Sequence, residues 1–559
     1  MNRNDRYKLN FIRRCSVAFL VILFYGCKQT TLPEQHREAD PIPYLRKQGK
    51  TTQLIVEGKP FIVLGGELGN STFTSLESME PVWPKLNALN LNTVLAPVYW
   101  ELIEPVQGKF DFDLLDQLMG EARKHNLKLI LLWFGSWKNS MSSHVPAWVK
   151  TDFITYPRAK DKAGISQEIV TPFSENNLNA DRKAFQALMT HLRQTDSLHR
   201  TVIMIQPENE IGMLPTAREY SPMANALFDA PVPEEFIQYL TENKSRLVPE
   251  FYALWEAHGL KTAGNWEDLF GIGTHTDEIF MAWYFSKYTN EIVKAGKEIY
   301  PLPMFVNAAL NRPGKEPGSG YPSAGPLPHL MDVWKAAGSS IDFLSPDFYN
   351  PDITHWCDLY TRQGNPLFIP EHRFDNTVAA KAFYTIGHYE SMGFSTFSIE
   401  SYEKPGAEDL GNAYALIKEL TPLLTTHHGQ EKVEGVILDK ERQESLLTFG
   451  DYEFSVKHSH TLGYEASSAN EVWEPAGAMI IQTHEHEFYI AGSGIVITFT
   501  SKKNPAHRVG ILKNEEGHFD NGSWKVYRHL NGDQTHQGRH IRIFLGDYAI
   551  QRVTLYPYQ

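Results

Sequence analysis

The chain carries only 3 cysteines in 559 residues, and two of them, Cys15 and Cys27, sit close to its start. If Cys15 leaves with a leader segment and Cys27 is modified, Cys357 remains a lone thiol and no structural disulfide can form. Positive charge is also short. Lys and Arg number 53 against 66 Asp and Glu, for a net charge of -13, and no basic block follows the extreme N-terminus. The electrostatic footprint of a nucleic-acid binder is therefore missing, and a neutral or weakly charged ligand is expected. No Gly-rich phosphate loop, redox cysteine pair or serine elbow is present, so those chemistries have no sequence signal and no cofactor is implied. The histidine-bearing stretches at 483–488 and at His427–His428 read as a strand surface and a helix end, so no metal is expected either.

Aromatic residues make up 12% of the chain and charged ones 21%, the balance of a packed protein with rings to offer a ligand. Arg3, Arg6, Lys8, Arg13 and Arg14 precede an apolar run, Ser16 to Tyr25, that is too short to span a bilayer. It reads as a signal peptide. The run ends at Gly26-Cys27, which resembles a bacterial lipobox. The expectation is a chain exported to a bacterial envelope, periplasmic or at the outer surface, and touching membrane only through a lipid on Cys27. Residues 1–27 would be the signal and 28–54 a tether and lead-in.

From 55 to 428, short apolar runs alternate with longer amphipathic stretches, the pattern of repeated βα units. Eight strands are expected: Phe61–Gly66, Asn92–Tyr99, Leu127–Phe134, Thr201–Gln206, Pro303–Asn307, Ile341–Pro346, Pro366–Pro370 and Phe394–Ile399. Apolar spacings of three and four predict helices at Asp113–Asn126, Ala180–Ser197, Asp277–Tyr300, Ala379–Gly393 and Asn412–Thr425. Eight such units make a (β/α)8 barrel of the α/β class. The segment 213–275 reads as an insertion after the fourth strand that roofs the active face. Residues 429–559 change to alternating runs between Gly, Asn and Asp turns, which predicts an antiparallel β-sandwich.

Strand ends of such a barrel share one mouth, so acids placed there come first. In "MIQPENEIG" (204–212), Glu210 follows an apolar strand and can protonate a leaving oxygen, while Asn209 can hold a sugar hydroxyl. In "NPLFIPEHRF" (365–374), Glu371 follows the seventh strand beside Arg373, which would keep its pKa low as a nucleophile requires. The plain alternatives are loop solvation for Glu210 and an ion pair for Glu371. Tyr99 and Trp100 would present rings at the mouth, with packing under the loop as the alternative for each. Glu67, Asn307 and Glu400 are candidates for hydroxyl recognition. Glu400 can equally pair with Lys404 or Arg373.

"GGELGNS" (65–71), "VYWELIEPVQGKFDF" (98–112), "VPAWV" (145–149) and the two glutamate motifs together resemble the clan A glycoside hydrolases. Within them the likeness is to the family 35 β-galactosidases and their bacterial relatives. The resemblance implies a retaining exo-β-glycosidase acting on oligosaccharides, with Glu210 as acid/base, Glu371 as nucleophile and Tyr349 hydrogen-bonded to the nucleophile. The chain departs from the family before "PAW", where Trp137, Lys138 and Asn139 replace a cysteine–alanine–glutamate stretch that helps read the sugar. Trp137 and Asn139 thus become candidate substrate contacts. Glucosides, mannosides and arabinosides stay open, as does a glycan-binding lipoprotein without turnover.

Overall fold

The computed structural model describes residues 42–559 except 402 and 405. The expected signal peptide, Cys27 and residues 28–41 of the tether lie outside the described residues. Three short antiparallel strands, Tyr44–Gln48, Thr51–Val56 and Lys59–Phe61, open the described chain.

Eight parallel strands follow: β1 Val63–Glu67, β2 Thr93–Tyr99, β3 Lys128–Lys138, β4 Val202–Asn209, β5 Phe305–Ala309, β6 Phe343–Phe348, β7 Glu371–His372 and β8 Gly393–Phe397. They form two sheets, β8-β1-β2-β3-β4 and β5-β6-β7. Isolated parallel bridges, Ile205 with Met304 and Ile369 with Phe394, join the sheets at both seams. With its covering helices this half is a parallel α/β array. The seventh strand is shorter and later than the sequence suggests, because Pro366 and Pro370 remove ladder donors and leave Glu371 and His372 to pair with Asp347 and Phe348.

Every residue of β2 is buried, as a parallel strand covered on both faces must be. The covering helices show why they form. In α1, Asp113–Lys124, the buried residues are Leu115, Leu118, Met119 and Ala122, with Asp113 and Asp116 in the first turn and Arg123 and Lys124 in the last. That spacing makes one apolar stripe, and the charges oppose the helix dipole at each end. The other main covering helices are α2 Glu175–Thr195, α3 Thr274–Ile299, α4 Met331–Ala337, α5 Ile353–Tyr360, α6 Val378–His388 and α7 Ala407–His427.

Inside the strand array, Val63, Leu95, Ile130, Leu132, Phe134, Ile203, Phe305, Phe343 and Phe368 form a separate apolar core, joined by Leu54 and Val56 of the leading strands. Phe305 stacks on Phe343 with centroids 5.2 Å apart, and Phe368 meets Phe305 edge-on. The interior is therefore filled, and the strand ends beyond it are where polar groups can gather.

The insertion folds as helices Pro222–Asp229, Glu234–Glu242, Pro249–Ala257 and Trp266–Phe270. Its aromatic core, Phe236, Trp266 and Phe270, packs on Phe280 and Trp283 of α3. Asp332 of α4 accepts from Val248 N at 2.7 Å. The insertion thus spends its apolar side on the flank helices α3 and α4.

The C-terminal region has two antiparallel sheets. The larger orders β9 Val433–Leu438, β12 Ala476–His484, β13 Glu487–Ser493, β18 Ala549–Tyr558, β15 Arg508–Asp520 and β16 Ser523–His529. The smaller orders β10 Glu444–Phe449, β11 Tyr452–His458, β14 Ile495–Ser501 and β17 Ile541–Ile543. Val436, Phe454, Ile480, Phe488, Ile490 and Ile497 are part of a core built from strands of both sheets. Helix α6 lies directly on the larger sheet. A Cβ at Gly435 would stand 2.8 Å from the carbonyl oxygens of Phe383 and Tyr384, and one at Gly477 would stand 2.5 Å from Ala380 Cα. Only glycine allows so close an approach.

Candidate active site

Alternation along a strand decides which side chains reach the mouth. Val63 lies in the interior core, and Glu67 follows four residues later on the same face. By the same alternation Phe134 leads to Lys138 and Phe343 to Asp347, each four residues on, and Phe305 to Asn307, two residues on. The Lys138 ammonium stands 4.9 Å from the Phe134 ring centroid, as that register requires. Lys138 and Asp347 escaped the sequence reading, although the period-two count from Phe134 and Phe343 would have found both.

These residues converge with the two glutamates. Glu67 is fully buried, Asp347 is 1% exposed and Glu371 is 4% exposed. Asp347 and Glu371 are register partners on β6 and β7, as are Lys138 and Asn209 on β3 and β4. Glu210 follows β4 in a left-handed conformation, φ 44°, and its amide donates to Asn307 Oδ1 at 3.0 Å. Asn307 Nδ2 in turn donates to Asp347 Oδ2 at 2.6 Å. The Tyr349 hydroxyl donates to Glu371 Oε1.

Burial and like charge set the protonation. Glu371 is pushed up to about 7, first by burial and then by the charge of Glu210, against the opposing effects of Lys138, Tyr349 and Glu67. Glu67 is held well above the usual carboxylate range by burial and then by Glu371. Among the described residues its oxygens find no donor apart from this neighbouring carboxyl, so a bond between the two needs one proton. Asp347 is likewise raised by burial and then by Glu371 and Glu210. Glu210 is raised by burial, opposed by Lys138 and by a hydrogen bond with Asp347. The cluster thus offers one acid kept protonated and one able to ionise near neutrality.

Two comparisons bear on this arrangement. Residues 77–253 match a family model described as Beta-galactosidase, and a β-galactosidase of Xanthomonas manihotis is 28% identical over 188 residues. Over that stretch this chain is similar to β-galactosidases, which are glycoside hydrolases. The matched part covers 32% of this chain and 28% of the Xanthomonas protein, so the chain spans just over a quarter of that relative. Glu210 falls inside the stretch matched by the family model and Glu371 beyond it. Residues 410–542 match a domain of unknown function, DUF5597. Among solved structures, the β-galactosidase of Bacillus circulans sp. alkalophilus superposes with a TM-score of 0.44 at 13% identity, over 64% of this chain and 56% of that one. The β-amylase catalytic domain of Paenibacillus polymyxa gives 0.45 at 13%, over 63% and 97%.

Other expected contacts fall elsewhere. Trp100 is 1% exposed, donates to Glu104 at 2.8 Å and packs on Trp133 and Trp148. Its ring is core, and the expectation of a mouth position is corrected. Trp137 is fully buried against Phe285 and Tyr288 of α3, on the face opposite Lys138, so it has no surface to give a sugar. Tyr99 is 5% exposed and its hydroxyl is taken by Asn70 O at 2.6 Å. Glu400 accepts from Gly69 N and Thr72 Oγ1 at 3.0 and 2.6 Å. It ties down the loop after β1, and no ion pair to Lys404 or Arg373 forms among the described residues. Asn307 spends its amide on Glu210 and Asp347, and so acts on the glutamates. Asn139 is exposed beside Lys138.

Arg373 is a further correction. It is exposed, lies over the Tyr349 ring and donates to Tyr349 O at 3.5 Å. Glu371 sits high because burial and the charge of Glu210 prevail, while Arg373, two residues on, lies over the Tyr349 ring instead. Glu208 also turns from Glu210: its Oε2 accepts from Trp137 N at 2.8 Å, and burial followed by Asp181 raises it well above the usual range.

Proposed function

We propose that the chain is a retaining exo-β-glycosidase, in the first instance a β-galactosidase, built on a closed (β/α)8 barrel. The observation that carries this reading is the meeting of Glu210, after β4, and Glu371, on β7, in one buried acid cluster where the charge of one acts on the other. In this mechanism Glu210, protonated, gives its proton to the leaving oxygen as the glycosidic bond breaks. The Glu371 carboxylate forms the bond to the anomeric carbon. Glu210 then takes a proton from water, which displaces Glu371 and restores both groups. Tyr349 supports the reading by donating to Glu371, which favours its ionised form.

The likeness to family 35 rests on the motifs at 65–71, 98–112 and 145–149. A β-glycosidase for another sugar is the second reading, favoured by Trp137, Lys138 and Asn139 in place of the family's usual stretch. Export and lipid attachment at Cys27 belong to the same proposal and rest on the leader sequence.

Release of nitrophenol from aryl β-galactosides, glucosides, mannosides and arabinosides tests the activity and chooses the sugar. Glu371→Ala with azide should yield a glycosyl azide of inverted configuration. An azide product of retained configuration, or a wild type that binds sugars without cleaving any aryl glycoside, would overturn the reading.

A further inference from the structure

Lys138 is 4% exposed. Its Nζ donates to Asn209 Oδ1 at 2.7 Å and to Asn139 Oδ1. An ammonium has donors and no acceptor, so chemistry alone requires the oxygen of each amide to face it. The amide nitrogens must then point away. Asn209 Nδ2 is buried and has no partner among the described residues, so its hydrogens are left for a ligand beside Glu210.

The lysine is itself held in place. Lys138 and Ser142 exchange backbone hydrogen bonds at 2.9 and 3.1 Å, Asn139 N donates to Asn209 O at 3.2 Å, and Ser140 Oγ donates to Glu210 O at 2.6 Å. Asn139 and Ser140 both adopt left-handed backbone, φ 56° and 59°, and the turn they make is stitched to the end of β4. The groups acting electrostatically around Glu371 are Glu67 from β1, Glu210 after β4, Asp347 from β6, Tyr349 after β6 and Lys138 from β3. Lys138 is the one cation among them, and it acts on all four acids.

We infer that Lys138 is a positioning residue with two tasks: it fixes the Asn209 amide so that its N–H groups face the sugar, and it supplies the charge that lets Glu371 ionise among three other acids. The inference rests on the retaining-glycosidase reading, in which Asn209 meets the sugar 2-hydroxyl next to the reacting carbon; what it adds is the part played by Lys138.

Lys138→Met, with folding checked by circular dichroism, is compared with wild type on an aryl glycoside and its 2-deoxy analogue across pH. The wild type should discriminate strongly against the 2-deoxy substrate. In the variant that ratio should collapse by about tenfold or more, since removing a preorganised donor costs on that scale. The acid limb of kcat/KM should move up by about one pH unit or more as a nearby opposite charge is lost. Lys138→Gln keeps a donor toward Asn209 without charge, so it should preserve the discrimination and still move the limb, and it carries the test if the Met variant fails to fold. An unchanged ratio in Lys138→Met together with an unmoved limb in either variant, on an enzyme that turns over, overturns this inference alone. A wild type without turnover defeats the glycosidase reading beneath it.

Discussion

Two groups of acids in this molecule are treated oppositely. On the C-terminal sheet, Glu516 is 5% exposed and meets Arg528 through two bonds of 2.8 and 2.9 Å. Glu487 there receives Arg552 at 2.9 Å, and although burial pushes its pKa up, the hydrogen bonds of Arg552 and Thr483 outweigh that and lower it. At the mouth of the parallel strands, Glu67, Asp347, Glu210 and Glu371 face one another with a single lysine, and all four are raised. A buried acid with a matched base is settled architecture. Acids buried against acids are costly to the fold, and such perturbed groups gather where chemistry is done.

That contrast can be broken by experiment. The largest effect should come from Glu371→Ala, with turnover falling by about three orders of magnitude or more while the protein stays folded; steady-state assay of the purified variant checks this, and near-normal turnover would make the cluster structural. Glu210→Gln should divide its effect by leaving group, severe for unactivated alcohols and mild for nitrophenol, as the loss of a general acid requires. A pH series of kcat/KM should rise through about 7 as Glu371 ionises and fall on the alkaline side as Glu210 loses its proton.

Stability should mirror this with the opposite sign. Glu371 is raised from the ordinary carboxylate range to about 7 in the folded chain. Its contribution to stability is full in acid and is lost as pH rises toward 7, because the unfolded chain ionises first. Glu371→Gln should therefore be more stable than wild type at pH 8, by about 3 kcal/mol on the linkage scale, and equal to it near pH 4; denaturant titrations at both pH values decide. The smallest effect is expected at the sheet: Arg528→Ala, on a side chain 59% exposed, should cost about 1 kcal/mol and leave turnover unchanged. A loss of activity there would erase the distinction between the two regions.

The order of strands and helices was legible because apolar period changes mark each βα unit. β7 was not, because its prolines break the ladder that would have defined it. Glu210 and Glu371 were visible as acids following apolar runs, whereas Asp347 hid between Pro346 and Phe348 in an apolar context. Trp100 and Trp137 misled for the converse reason. A tryptophan near a strand end looks available to a sugar, but the side of the strand it leaves from decides, and each leaves toward the helices. Arg373 misled because it stands just past the two-residue strand, where alternation no longer sets its direction, and its side chain lies over the Tyr349 ring.

The glycines at 435 and 477 have a consequence for how this protein can be cut. Strand backbone pressed onto α6 at such range leaves no room for solvent, so trimming the chain after residue 428 would strip the cover from one of the helices that wall the catalytic half. The C-terminal region is then part of the casing of the parallel strands, and a shortened version should be recovered as aggregate.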